Sequence, residues 1–275
     1  MKRVVVVLVL AASASALAQR PFDAARDRFF GGAQGRPFDR APAGAQGRRF
    51  GIPVMPNPKY DGQFTFARLR WGPELRVISQ SVYWSHDYPD GERHFMQILN
   101  ELSLVRPKVA ETSIVGFDDP ALFRYPIAYM AEPGFMQLSE EEAATFRAYL
   151  EKGGFVIFDD FAENRGGWYS FASEMQRVIP GGRWVELDGG HPIFHSFFEI
   201  DRPLDLIPPY DQQYKPIYYG LFEGNDPARR LMAIANFNND ISEYWEFAPT
   251  GFMPVFDTNE AYKLGVNYIM YGLTH

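Results

Sequence analysis

No cysteine occurs anywhere in the 275 residues. That excludes disulfides, a thiol nucleophile and thiolate metal ligands, so the chain must be stable through its core alone. Three motifs are also missing: the Gly-x-Ser-x-Gly turn of serine hydrolases, the Walker phosphate loop and the Gly-x-Gly-x-x-Gly dinucleotide turn. Nothing therefore points to serine-hydrolase, nucleotide or NAD chemistry. Positive charge is not in excess. The chain carries 27 Lys and Arg against 34 Asp and Glu, a net charge of -7, which argues against a nucleic-acid partner. Long apolar runs are absent too, apart from one at the start.

That run reads as an export signal. Lys2 and Arg3 form a basic leader, Val4 to Ala12 is unbroken apolar sequence, and Ala16-Leu17-Ala18 gives the small-x-small pattern of a cleavage site before Gln19. The run is shorter than the roughly 20 apolar residues of a membrane span. No cysteine follows it, so a lipoprotein is excluded, and no Arg-Arg pair precedes it. Residues 1–18 are thus expected to be a signal peptide. The mature chain is expected in the periplasm or outside the cell, with no transmembrane segment.

Residues 19–62 differ from the rest. Arg-Pro-Phe-Asp occurs at Arg20 and again at Arg36, and Gly-Ala-Gln-Gly-Arg begins at Gly32 and again at Gly44. The segment is rich in Gly, Pro, Ala and Arg and has no helix or strand period, so it is expected to be a disordered tether. Its alternative role is to hold an acidic partner or the cell surface.

From residue 63 onward the chain reads as one α/β domain running to His275. Phe64 to Leu69 and Leu75 to Val82 alternate like strands. Asp90 to Leu102 is helical, with Phe95, Ile98, Leu99 and Leu102 on one face. Ile127 to Met130 is a short buried strand. Ser139 with Glu142 three residues later makes a capping box, the next helix buries Ala143, Phe146, Tyr149 and Leu150, and Gly153-Gly154 stops it. Phe155 to Phe158 follows as a buried strand ending in Asp159-Asp160. Strand, helix and strand in this order form a parallel crossover. A helix at 168–179, a strand at 231–236 and a helix at 259–271 complete a three-layer arrangement with a mainly parallel sheet.

In open α/β sheets ligands bind beyond the carboxyl ends of the strands. Glu132, Asp159, Asp160, Asn236, Asn238, Asn239 and Asp240 are all expected on that rim. Neighbours on a strand end point to opposite sides, so only one of Asp159 and Asp160 can face a cleft. Such a carboxylate binds a hydroxyl, acts as general base or holds a metal; otherwise one of the pair caps a helix and the other is solvated. His191 and His195 have a metal-like spacing, with Glu199 beyond. Pro192 and the flanking glycines argue for a loop, so no metal is expected there and His191 is read as a polar group in the cleft. Trp84, His86 and Asp87 lie in a mixed aromatic and polar run just before a helix start, where a polar ligand or anion is favoured. Asp90 in that run serves equally as a helix cap. Tyr218, Tyr219 and Trp245, with Glu243 and Glu246, read first as packing.

Phe64 to Leu69, Trp84 to Arg93 with Asp87-Tyr88-Pro89, Leu138 to Asp160, and His191-Pro192-Ile193-Phe194 together resemble the DUF4159 family over roughly residues 63–275. The resemblance implies a flavodoxin-like sandwich of the class I glutamine amidotransferase kind, the fold that also includes ThuA-like proteins. Those amidotransferases place a nucleophilic cysteine at the turn after a central strand. Here Asp159-Asp160 takes that place, so a retained cleft with changed chemistry is implied.

The leading expectation is non-covalent binding of a small polar or carbohydrate-like ligand, or an envelope component, by Trp84, His86, Asp87, Glu132, Asn236 and Asn238. No cofactor is expected. The alternatives are a hydrolase or isomerase that uses Asp160 or Asp159 with His191 as acid and base, and a structural assembly partner in the cell envelope.

Overall fold

The computed structural model describes residues 51–275 except 80, 166, 201 and 209–212, together with residues 24, 25, 27 and 28. The expected leader and most of the expected tether lie outside the described residues. In chain order the elements are β1 (Ile52–Pro53), β2 (Ala67–Arg70), β3 (Val77–Ile78), α1 (Asp90–Leu102), β4 (Ser113–Gly116), β5 (Ile127–Ala131), α2 (Glu140–Glu151), β6 (Phe155–Phe161), α3 (Gly167–Val178), β7 (Trp184–Glu186), β8 (Ile217–Phe222), β9 (Leu231–Phe237), α4 (Ile241–Phe247) and α5 (Val255–Thr274). Among the described residues no helix is long and apolar enough to cross a membrane.

Seven strands form one sheet in the order β4-β2-β5-β6-β9-β8-β7. The first five run parallel. β8 is antiparallel to both β9 and β7. The class is therefore mixed α/β with a mostly parallel sheet, as the alternating strand and helix patterns imply. β5, α2 and β6 make the expected crossover, with Ile127 opposite Phe155 and Ala131 opposite Asp159.

Side chains alternate across each strand, and this divides the core into two layers. Tyr129, Ala131 and Ile157 face α1, α4 and α5, where they meet Phe95, Ile98, Trp245, Tyr262 and Leu264. Ala128, Met130, Val156 and Phe158 face α2 and α3, where they meet Phe146, Leu150, Phe171 and Met175. β6 is buried along its whole length. It reads as a continuous apolar run because helices cover it on both sides.

α2 starts where the sequence places it. Ser139 Oγ accepts from Glu142 N at 3.1 Å and Glu142 Oε2 accepts from Ser139 N at 2.8 Å. Gly153, at φ 111°, ends the helix in a conformation that other residues avoid.

Ordered packing begins earlier than the composition suggests. β1 pairs with β3. Ile52 and Val54 pack on Ile78, Trp84, Tyr88 and Ile114. Asn57 exchanges two 2.8 Å bonds with the backbone of Ile114. A two-residue strand has no readable period, so sequence gives no sign of it. The strand expected over 75–82 shrinks to Val77–Ile78. Farther back, Ala25 lies in a helical stretch and is buried in the α1-side core, and Arg28 pairs with Glu101 of α1 at 2.6 Å.

Candidate functional site

The carboxyl ends of β5, β6 and β9 share one rim of the sheet, and four non-glycine residues there hold a left-handed backbone. Asp87 has φ 63°, Glu132 49°, Asp160 57° and Asn238 58°. Side chains with a Cβ disfavour this region, and such strain concentrates at functional positions. At Asp160 the register between β6 and β9 breaks, between Phe158 and Phe161. The break turns the Asp160 carboxyl out of the sheet ladder. Backbone bonds fix both turns: Glu132 N donates to Asp159 O at 3.0 Å, and Asp160 N to Asn239 O at 3.1 Å.

The side chains converge on His86, which follows a short 3-10 turn at Tyr83–Ser85. His86 Nδ1 lies 3.2 Å from Glu132 Oε1 and 3.5 Å from Asp160 Oδ2. The carboxylates are almost wholly buried, and the imidazole is 26% exposed. A surface depression lined by Ile52, Ile78, Ser85, His86, Asp87 and Tyr88 reaches this edge. Near His86, Tyr83 stacks face to face on Phe135, with ring centroids 3.9 Å apart and planes 5° apart. Tyr83 is 42% exposed, and its ring lies 5.9 Å from that of His86.

More carboxylates surround this centre. Ser242 Oγ donates to Asp87 Oδ2 at 2.5 Å. Asp240 caps α4 by accepting from Glu243 N at 3.0 Å. Among the described residues, three sets of side chains bring ligand atoms close enough to share an ion: His86, Glu132 and Asp160; Asp87, Asp160 and Asp240; and Asp87, Glu243 and Glu246. Burial and the charges of neighbouring acids push Asp160, Asp240 and Glu243 upward. Asp160 is raised to about 7, by burial first and by the charges of Glu132 and Asp87, against its hydrogen bond to His86. Asp240 is raised well above its ordinary value by burial, Asp160 and Asp87. Glu243 is pushed up to about 10 by burial, Asp87 and Glu246.

Asp159 has a different task. Its two oxygens accept from Tyr129 Oη at 2.9 Å, Asn236 Nδ2 at 2.9 Å, Ile241 N at 3.3 Å and Ser242 N at 3.1 Å. It therefore ties β5, β9 and the start of α4 to β6, and burial against these four donors leaves it at about 6. Of the adjacent pair, Asp160 faces the rim cluster and Asp159 faces inward to cap a helix.

The other expected site residues separate from this centre. Asn236 is fully buried between Asp159 and Tyr268. Asn238 holds a loop together, accepting from Glu163 N and donating to Lys215 O. Trp84 is buried, and its carbonyl accepts from Arg68. His191 is not brought to Asp160. Its ring lies against Phe222 and Tyr271. Phe222 pairs with Leu231 at the start of β9, whereas Phe237 at the other end of β9 pairs with Phe161. The length of β9, about 20 Å at 3.3 Å per residue, separates the two edges. The Asp160–His191 acid–base pair expected from sequence is thus corrected: the histidine beside Asp160 is His86. His195 bonds to Glu199 and to Gly189 O, away from the rim.

Tyr83 and Phe135 were not singled out by sequence. Tyr83 directly precedes Trp84, and Phe135 ends the 3-10 turn that begins after Glu132; this nearness in sequence is the one available signal. Trp245 is packing, stacked on Phe95 at 4.3 Å.

A comparison with curated proteins finds no match. The family model described as a domain of unknown function, DUF4159, matches residues 65–273, most of the chain, and the chain belongs to that family.

Proposed function

We propose that this is an exported binding protein whose sheet rim takes a small polar, carbohydrate-like ligand without covalent chemistry. The observation that carries the reading is the exposed Tyr83 ring stacked on Phe135 beside His86, Glu132 and Asp160. An aromatic face next to convergent carboxylates suits a molecule with an apolar ring face and a hydroxyl-rich edge. The leader pattern in residues 1–18 supports export. The absence of cysteine supports binding over thiol chemistry. A relation to the class I glutamine amidotransferase-like fold is part of the same proposal. It is supported by the left-handed backbone of Asp160 at the irregular carboxyl end of the central strand β6, near where that fold places its nucleophile.

The test is retention on a saccharide panel, followed by calorimetry. Tyr83→Ala and Glu132→Gln should each weaken a bound saccharide at least tenfold. Failure of every saccharide to bind, or binding indifferent to both substitutions, sinks the reading.

One observation favours a second reading, acid–base hydrolysis. Asp160 is held at about 7 beside His86, and a group near the working pH can both accept and donate a proton. Turnover of a glycoside or ester that disappears in both Asp160→Asn and His86→Gln would select this reading over simple binding.

A further inference from the structure

We propose that His86, Glu132 and Asp160 form a site for one divalent transition-metal ion of the Zn2+ or Mn2+ kind. The inference concerns the rim described above and rests on the binding reading only for the ligand hydroxyl that would fill the open coordination position.

The donor set is chemically specific. One imidazole nitrogen and two carboxylate oxygens suit a borderline ion such as Zn2+ or Mn2+, whereas Ca2+ and Mg2+ prefer oxygen alone. The spacing agrees. His86 Nδ1 stands 3.2 Å from one carboxylate oxygen and 3.5 Å from the other. Ligands each about 2.1 Å from a common ion stand roughly 3.0–3.5 Å apart in octahedral or tetrahedral geometry. The three side chains come from separate elements, so no run of sequence produces the arrangement by itself. Two are fixed by backbone bonds at the ends of β5 and β6. Three protein ligands leave room for water or a substrate oxygen, and His86, which lines the surface depression and is 26% exposed, is the member of the set that solvent reaches.

A separate observation concerns Glu92. Its Oε1 is paired with Arg68 at 2.6 Å, while its Oε2 is buried and has no hydrogen-bond partner among the described residues. Asp87 and Asp240 form a further donor set with Asp160 itself. The three aspartates crowd carboxylate oxygens beside the site, an arrangement that a dication offsets.

The test uses the purified full-length chain, stripped with EDTA and titrated by calorimetry with ZnCl2 and separately with MnCl2, with no saccharide present. One ion per chain should bind. Glu132→Gln and Asp160→Asn, both near-isosteric, should each weaken it at least tenfold, while thermal melting of the stripped variants shows that they remain folded. The Mn2+-loaded chain should show nitrogen hyperfine coupling that disappears in His86→Gln. His195→Ala, at the surface His195–Glu199 pair, should leave the binding unchanged. The proposal is overturned if no ion binds, if both rim variants retain it, or if His195→Ala is the variant that loses it. An ion that binds where no saccharide does leaves the metal site standing and removes the carbohydrate reading. A saccharide held in EDTA by a chain that takes no ion does the reverse.

Discussion

Tyr129 Oη donates to Asp159 Oδ2 across 2.9 Å, from the strand next to that of the carboxylate. This is one of four hydrogen bonds that Asp159 accepts inside the protein, two of them from the first backbone amides of α4. Asp159→Ala leaves those donors buried without a partner, at roughly 1–3 kcal/mol for each one stranded and partial relief as the site relaxes. A net loss of about 2–4 kcal/mol is expected, which lowers the melting temperature by about 4–16 °C at this chain length. Thermal denaturation measures it. A melting point within a degree of the parent would show that Asp159 does not tie α4 to the sheet.

The neighbouring carboxylate should behave in the opposite way. Asp160 is buried and is repelled by Glu132 and Asp87, so its charged form is costly in the folded chain. Asp160→Asn removes the charge and keeps the shape, and Asn tolerates the left-handed backbone at φ 57°. At about pH 8 the EDTA-treated variant should be more stable than the parent by about 1–3 kcal/mol, while ligand retention is lost. Stability exchanged for function is the signature of a strained binding group. A destabilised variant would instead make Asp160 structural.

How much of this was readable beforehand depends on how locally each feature is encoded. The Ser139–Glu142 capping box, the apolar face of α1 and the continuous apolar run of β6 are local patterns, and all three form where the sequence places them. β1, β3 and β7 have two or three residues each, too few for a period. α4 has seven residues, two turns at most, and the sequence shows only that Asp240 sits on the rim and that Trp245 with Glu243 and Glu246 reads first as packing. Within the site, Asp160, Glu132, His86 and Asp87 were each visible as polar residues at strand ends or a helix start. Their meeting was not, because it depends on β5 and β6 being neighbours and on the turn before α1 folding over them. His191 was misassigned for the same reason: nothing local tells which edge of a sheet a loop will occupy.

The turn that carries His86 depends on a buried ion pair. Arg68 Nε contacts Glu92 Oε1 at 2.6 Å, Arg68 Nη1 donates to Trp84 O at 3.0 Å, and both side chains are sealed from solvent. Arg68→Met strands the Glu92 charge in the core, where burial already raises its carboxyl. A loss of about 3–5 kcal/mol is expected. Adding Glu92→Leu should restore most of that stability, since a well-packed apolar pair often replaces a buried ion pair without penalty. The double variant still lacks the donor to Trp84 O, so it should melt near the parent temperature yet bind ligand less well. Equal losses in the single and double variants would mean that the pair's charges are not what sets its stability.

At the opposite edge, His191 gives the protein an acid sensitivity that involves none of the rim. Its Nδ1 accepts from Ile193 N at 3.2 Å and so caps the Pro192–Phe194 turn, which requires that nitrogen to be unprotonated. Burial lowers its pKa below the ordinary 6.5. The sign follows directly. As pH falls past about 6.5 the unfolded chain takes up a proton at this site and the folded chain resists, so stability falls until the folded ring also protonates. Above about pH 7 both states are neutral there and the residue contributes no pH dependence. Asn caps the same turn without titrating. His191→Asn should therefore match the parent in melting temperature at about pH 8 and exceed it increasingly as the pH is lowered towards about 5. Parallel curves for the two proteins across that range would show that the ring is not held neutral by its cap.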